Sequence, residues 1–219
     1  MKTALIAGAS GLVGSHLLRL LLAAPDYSRI ISIGRRTLEV EHPKLTQLIA
    51  DFTALDGVAS ELQADDAFCC LGTTLRQAGS REAFRAVDHA AVLAFAWAAQ
   101  RAGARRLFIV SALGANPASR IFYNRVKGEC EVALRVLRFA TLAILRPGLL
   151  LGKRREFRLG EKVMTGVLWL AEPLLIGRLE KYRAIEAEVV ARAMLRCSFG
   201  TGARGVIEFD SAEIRDLGA

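Results

Sequence analysis

Seven residues, Gly8-Ala9-Ser10-Gly11-Leu12-Val13-Gly14, restrict the fold of this chain more than any other feature. They follow the apolar run Ala4-Leu5-Ile6-Ala7 and open into Ser15-His16-Leu17-Leu18-Arg19-Leu20-Leu21-Leu22. That order predicts a strand, a glycine-rich turn and a helix. Glycines let backbone N–H groups approach a pyrophosphate, and a helix N-terminus adds partial positive charge. The spacing is Gly-x-x-Gly-x-x-Gly rather than the Gly-x-Gly-x-x-Gly of ordinary dinucleotide-binding turns. A tight strand–helix turn also needs glycine for its own sake, so the rest of the chain must decide what the loop is for.

Short apolar runs alternate with helical patterns along most of the chain, which argues for βαβ units and a parallel sheet. The predicted strands are 3–7, 29–34, 45–49, 67–71, 106–110 and 142–145, with a further strand at 205–209. Helices are expected from Gly14 to Ala24, Arg81 to Arg101, near Ile121 onward, and Ile185 to Cys197. The fold class is therefore α/β: a doubly wound, mostly parallel Rossmann sheet of order 3-2-1-4-5-6, with room for a seventh strand. Helices cover both faces, and a small C-terminal elaboration follows. Residues 1–219 read as one nucleotide-binding domain, with 153–183 as the segment on the substrate side.

Composition narrows the class. An apolar fraction of 53% is too high for a disordered chain. The net charge of +8 suits phosphorylated ligands, but the basic residues are scattered and no stripe interleaves them with aromatics. Nucleic acid is therefore not expected as a partner. The cysteines, Cys69, Cys70, Cys130 and Cys197, show no metal-ligand spacing, so no metal is expected and a reducing, cytoplasmic setting fits. His16 and Arg19 interrupt the N-terminal apolar run, which speaks against a signal peptide. The run from Val163 to Ile176 is too short to span a bilayer and contains Glu172-Pro173, so a soluble protein is expected.

Tyr123 and Lys127 stand four residues apart in a helical pattern, on one face about a turn apart. A phenol needs help to act as a base near neutrality, and an adjacent ammonium can lower its pKa and contact a ribose. Alone, such a pair also describes a solvated helix face. Ser111, however, ends the predicted fifth strand twelve residues before Tyr123. Ligands of open α/β sheets bind beyond the carboxyl ends of the strands. The glycine loop, Gly72-Thr73, Ser111 and Arg146-Pro147-Gly148 all fall at that edge. Ser111 can bond a substrate carbonyl there while Tyr123 moves a proton; as a turn or cap serine it would do neither.

Arg35-Arg36 follow the second strand, where an NAD enzyme places an acid for the ribose hydroxyls. Guanidinium groups there favour a 2′-phosphate and hence NADP(H). Asp51, past the third strand, either accepts a bond from the adenine amine or caps the following turn.

With these residues the chain resembles the short-chain dehydrogenase/reductase superfamily in its extended or atypical branch, and more closely the Tat-interacting oxidoreductase-like family. The resemblance rests on Gly8-Ala9-Ser10-Gly11, Ile33-Gly34-Arg35-Arg36, Phe68-Cys69-Cys70-Leu71-Gly72-Thr73-Thr74 and Val87-Asp88. It continues through Tyr123, Val126-Lys127-Gly128-Glu129 and Arg146-Pro147-Gly148, so it covers nearly the whole chain. It implies a Rossmann sheet holding NADP(H). Ser10, Gly11, Leu12 and Val13 match the pyrophosphate contacts, Arg35 and Arg36 the adenosine-phosphate pair, and Leu71 and Gly72 the fourth strand end. Tyr123 and Lys127 match the catalytic pair, Leu150 lies just past the Arg-Pro-Gly turn, and Arg158 matches an arginine facing the cofactor. Extended short-chain enzymes often carry Asn where this chain has Asp88, which questions a proton relay through that position.

The expected function is an NADP(H)-dependent oxidoreductase acting on a small carbonyl or sugar-nucleotide-like substrate. The alternative is an NADP(H)-binding sensor or regulator without turnover. Oligomeric state stays open, with a homodimer through two helices of such a sheet as one option.

Overall fold

The computed structural model describes residues 1–52, 55, 62–152, 183–200 and 204–219. The chain begins with β1 (Lys2–Ala7), α1 (Leu12–Ala23), β2 (Tyr27–Gly34) and β3 (Leu45–Ile49). β4 (Asp66–Cys69), α2 (Leu75–Ala78) and α3 (Arg81–Arg85) follow, then a π-helical turn (Ala86–Ala91) that runs into α4 (Val92–Arg101). Next come β5 (Arg106–Val110), α5 (Phe122–Val136), β6 (Thr141–Leu145) and the short β7 (Leu150–Leu151). β8 (Ile185–Glu186), α6 (Ala187–Phe199), β9 (Gly205–Phe209) and α7 (Ser211–Gly218) complete the described elements.

Seven strands form one sheet in the order β3-β2-β1-β4-β5-β6-β9, and every pairing is parallel. The predicted order is therefore observed, with 205–209 as the seventh strand. Strand alternation divides the core. Leu5, Ala7, Ile31, Ile33, Leu107 and Ile109 face α4 and α5 through Phe95, Ala96, Ala99, Cys130 and Leu134. Ala4, Ile6, Ile30, Phe68 and Phe108 face α1 and α6 through Val13, Leu17, Leu21, Val190 and Met194. Small residues on α4 let it lie close to the sheet. Each large aliphatic side chain removed from water contributes about 1.5–3 kcal/mol.

The short strands β7 and β8 were not expected, Ile185–Glu186 forming β8 where a helix was predicted to begin, and the helices depart from expectation in three places. The helix predicted from Arg81 to Arg101 is interrupted by the π turn at Ala86–Ala91. α2 and α7 were not expected, although α7 starts with a capping box in which Asp210 accepts from Glu213 N–H and the Glu213 carboxylate accepts from Asp210 N–H. That Asp-x-x-Glu signal is present in the sequence.

At the N-terminal edge of the sheet, buried Asp66 accepts from the Tyr27 hydroxyl at 2.6 Å and from Arg106 Nε and Nη2, each at 2.5 Å. Burial, and then Asp66, push the Tyr27 phenol far above its usual range, so it serves as a neutral donor. This cluster joins β2, β4 and β5 at the edge opposite the glycine loop.

The strand order reverses between β1 and β4, which opens a crevice at their carboxyl ends. Gly8 lies in that crevice at φ +79°, and a Cβ there would stand 2.5 Å from the Cys70 carbonyl oxygen. A Cβ at Gly14 would stand 2.1 Å from the Gly8 carbonyl oxygen. At Gly11 the nearest atom would be 3.1 Å away. Gly14→Ala is therefore expected to lower stability by about 1–3 kcal/mol through backbone displacement, and more than Gly11→Ala does. Urea denaturation of the two variants checks this; equal midpoints would show that α1 is not pressed on Gly8.

Candidate functional site

The first turn of α1 faces the crevice with its amides uncapped. Its N-cap, Gly11, is extended at φ −80° and ψ 175°, no side chain caps the helix, and no acid occupies its first turn. The loop is held by Gly11 N–H donating to the Gly8 carbonyl and Ser15 N–H to the Gly11 carbonyl, both at 2.9 Å. Ser10 is exposed, Gly11 and Leu12 are half-buried, and the Val13 side chain packs into the core. A pyrophosphate fits this cradle: donors point outward, no carboxylate competes, and side chains are excluded at Gly8 and Gly14.

Other strand ends reach the same edge. Arg35 and Arg36 are exposed in a bend just past β2, and Asp51 is exposed past β3. Leu71 and Gly72 follow β4. Leu150 lies in β7, which pairs with β8. A Cβ on Gly152 would stand 2.7 Å from Leu12 Cδ1, so the end of β7 abuts the glycine loop. Arg158 and residues 153–182 lie outside the described residues.

α5 carries the candidate pair Tyr123 and Lys127. Tyr123 is half-buried, and its ring lies 5.4 Å from that of buried Phe84, which limits where the phenol can point. Four residues on, Lys127 is only 6% exposed, and its Nζ lies 2.7 Å from Asp88 Oδ1. Asp88 is itself 1% exposed and accepts from Thr73 N–H through Oδ2 at 2.8 Å. Burial alone would lower the Lys127 pKa, but the charge and hydrogen bond of Asp88, together with Tyr123, hold it above the ordinary lysine value. Lys127 is thus a permanent cation at neutral pH.

Asp88 was read from the sequence only as a departure from an Asn. The structure makes it the partner of Lys127. The signal available was an acid among the apolar residues of a helix, where an unpaired charge is disfavoured.

Ser111 takes a different place from the one expected. It is buried, and its hydroxyl donates to Glu131 Oε1 at 2.5 Å. Glu131 lies two helical turns beyond Tyr123, roughly 12 Å along the axis. Glu131 also accepts from Arg146 Nε at 3.0 Å and from Arg146 Nη2, and Arg146 pairs in turn with Glu208 of β9. The hydroxyl proton needed to hold a carbonyl is committed to this network. In this arrangement Ser111 ties β5 to α5 through Glu131.

The string Val126-Lys127-Gly128-Glu129 now has a physical reading. Val126 is fully buried, and Glu129 pairs with Arg85 at 2.6 Å. A Cβ on Gly128 would stand 2.3 Å from the Asn116 carbonyl carbon and Pro117 nitrogen, so only glycine lets the 112–121 loop lie against the helix. Arg146-Pro147-Gly148 joins the same frame: the Pro147 carbonyl accepts from Leu113 N–H, and Gly148 N–H donates to Ser211.

Among the described residues no helix is long and apolar enough to cross a membrane, and no three His, Cys, Asp or Glu side chains gather where they could hold a metal ion.

Comparison with known proteins bears on the family and the fold. Residues 8–161 match a family model described as NAD(P)H-binding. Protein HTATIP2 from Rattus norvegicus is 37% identical over 216 residues, covering 94% of this chain and 86% of that protein. A protein named fmp52, mitochondrial, from Aspergillus fumigatus is 35% identical over 200 residues, covering 88% and 85%. Among solved structures, the Bordetella bronchiseptica enzyme WbmH in complex with NAD+ superposes with a TM-score of 0.71 at 18% identity, covering 100% of this chain and 80% of that one. A UDP-glucose 4-epimerase with UDP-glucose from Thermotoga maritima gives 0.69 at 15% identity, covering 99% and 81%. The matched residues lead to one conclusion, in keeping with the cradle at α1 and the strand order: this chain belongs to the NAD(P)H-binding family.

Proposed function

We propose that the protein is an NADP(H)-dependent oxidoreductase acting on a small carbonyl or sugar-nucleotide-like substrate, with Tyr123 as the proton-transferring group and Lys127 as its electrostatic partner. One observation carries this reading: a half-buried phenol and a buried, charged ammonium share one face of α5 beside the crevice where the strand order reverses. A buried ammonium near a phenol stabilises negative charge that develops on the phenol oxygen during proton transfer. The remaining N–H groups of Lys127 can hold ribose hydroxyls and so orient a dinucleotide. The first-turn amides of α1 would hold its pyrophosphate, Leu71 and Gly72 would border it at the β4 end, and Leu150 would border it at β7. Arg35 and Arg36 would hold a 2′-phosphate, and Arg158 is proposed to join the same site. When bound, the nicotinamide supplies or takes up a hydride.

Binding without turnover is the second reading, and one observation favours it. The Ser111 hydroxyl already donates to Glu131, which supports a site in which one of the three groups expected to act on a carbonyl has a protein partner instead.

Three measurements test these readings. Fluorescence titration is expected to give NADPH at least about tenfold tighter than NADH, and Arg35→Ser/Arg36→Ser is expected to erase the difference, since a charge-assisted hydrogen bond contributes about 1.5–3 kcal/mol. Equal affinities in the wild type would remove the phosphate role from both arginines. Across a panel of aldehydes, ketones and quinones, Tyr123→Phe is expected to reduce turnover by about 10²–10⁴-fold while NADPH affinity holds within about threefold. Turnover unchanged by that substitution would discard Tyr123 as the proton donor, and its absence in the wild type would leave the binding protein. Ser111→Ala is expected to keep turnover within about threefold and to lower stability by about 1 kcal/mol, read as a midpoint shift in thermal unfolding. A large loss of turnover there would restore the carbonyl role.

A further inference from the structure

We propose that Asp88 is a positioning residue: its carboxylate ties the Lys127 ammonium and the 71–74 turn into one unit, so that the cation at the cofactor crevice is aimed before any ligand arrives. This rests on the reading of Tyr123 and Lys127 given above.

Each oxygen of Asp88 has its own task. Oδ2 accepts from Thr73 N–H at 2.8 Å, which holds the turn after β4. Oδ1 lies 2.7 Å from Lys127 Nζ, which holds α5. Gly72 passes directly over the pair: a Cβ there would stand 3.4 Å from Asp88 Oδ1 and 3.6 Å from Lys127 Nζ. The backbone proposed to border the dinucleotide therefore rests on this ion pair.

Asp88 sits inside the π turn at Ala86–Ala91, between two regular helical stretches. A π turn shifts the angular phase of the residues it contains, and such turns are frequent at functional sites. In an unbroken helix Asp88 would point elsewhere on the cylinder.

The ionisable groups around Lys127 are Asp88 from the π turn, Tyr123 and Cys130 from α5, and Cys69 from β4. Burial pushes both thiols up to about 12, so they carry no charge at neutral pH. Asp88 is the carboxylate among them, and its Oδ1 lies 2.7 Å from Lys127 Nζ. Asn at this position keeps the shape and an acceptor for Thr73 N–H but removes that charge. Burial then acts on Lys127 without its main opponent, and its proton is lost at lower pH. The ammonium is present below the new midpoint and absent above it.

Lysine residues number six, few enough for [13Cε]-lysine NMR of the intact protein, with Lys127 assigned by its disappearance in Lys127→Arg. In the wild type without cofactor, the Lys127 signal is expected to stay in its charged position up to about pH 10. In Asp88→Asn it is expected to titrate at least one pH unit lower. NADPH affinity of Asp88→Asn is expected to stay within about threefold of wild type at pH 6 and to fall at least about fivefold below it one pH unit above the variant's own Lys127 midpoint. A purely structural loss would weaken binding equally at both values, and that outcome overturns the proposal. So does a wild-type Lys127 midpoint well below pH 10, a result that needs no variant to fold. If wild type binds no NADPH, the cofactor reading fails on its own, while the lysine midpoint still decides whether Asp88 holds the ammonium.

Discussion

Helix α1 meets the end of β1 through bare backbone. At Gly14 there is no room for a single carbon atom, because the Gly8 carbonyl oxygen would stand 2.1 Å from it. At Gly8 the same is true against the Cys70 carbonyl of the neighbouring strand exit. This double contact sets where the first helix can lie over the sheet. It aims the uncapped amides of α1 at the crevice between β1 and β4, and it draws the exit of β4 close enough for the 71–74 turn to border the same space. The rest of the site is arranged around that closeness.

α5 is the second anchor, and opposite charges four residues apart hold it. Lys127 pairs with Asp88 across to the π turn, and one turn further on Glu131 takes Ser111 and Arg146. Both acids and Lys127 are almost wholly buried. Buried ion pairs contribute little net stability, because desolvation offsets most of the Coulombic attraction, but breaking one leaves a charge without a partner. What they contribute here is placement. The helix cannot rotate or slide by one residue without losing both pairs and driving the Gly128 position into the 112–121 loop. Tyr123 inherits its position from that lock.

The parallel sheet was legible because strands buried on both faces read as apolar runs, and glycine or proline separated most of them from helical patterns. The glycine loop and the Tyr123–Lys127 pair were legible because their spacing is local. The π turn was not: Ala86 to Ala91 have no residue that forbids a regular helix, and only packing against α5 and the 71–74 turn selects the wider turn. α7 carried a readable cap at Asp210 and Glu213 but lies in the part of the chain where the alternation had faded. Ser111 was assigned by its place at a strand end. A strand end gives the position of a backbone, and the direction of the hydroxyl depended on Glu131, twenty residues away.

Local order along the chain, glycine spacing and apolar periodicity thus determined the alternating α/β class and the glycine cradle, since each depends on neighbours within a turn or a strand, whereas the strand order was that expected of a Rossmann sheet and rests on pairings between distant segments. Tertiary structure alone decided which charges meet. The sequence holds 30 basic and 22 acidic residues, and nothing in their spacing pairs Lys127 with Asp88 or Ser111 with Glu131. Those partners stand 39 and 20 positions apart. They come together because burial makes an unpaired charge too unfavourable to keep, and the packed sheet brings their partners within reach.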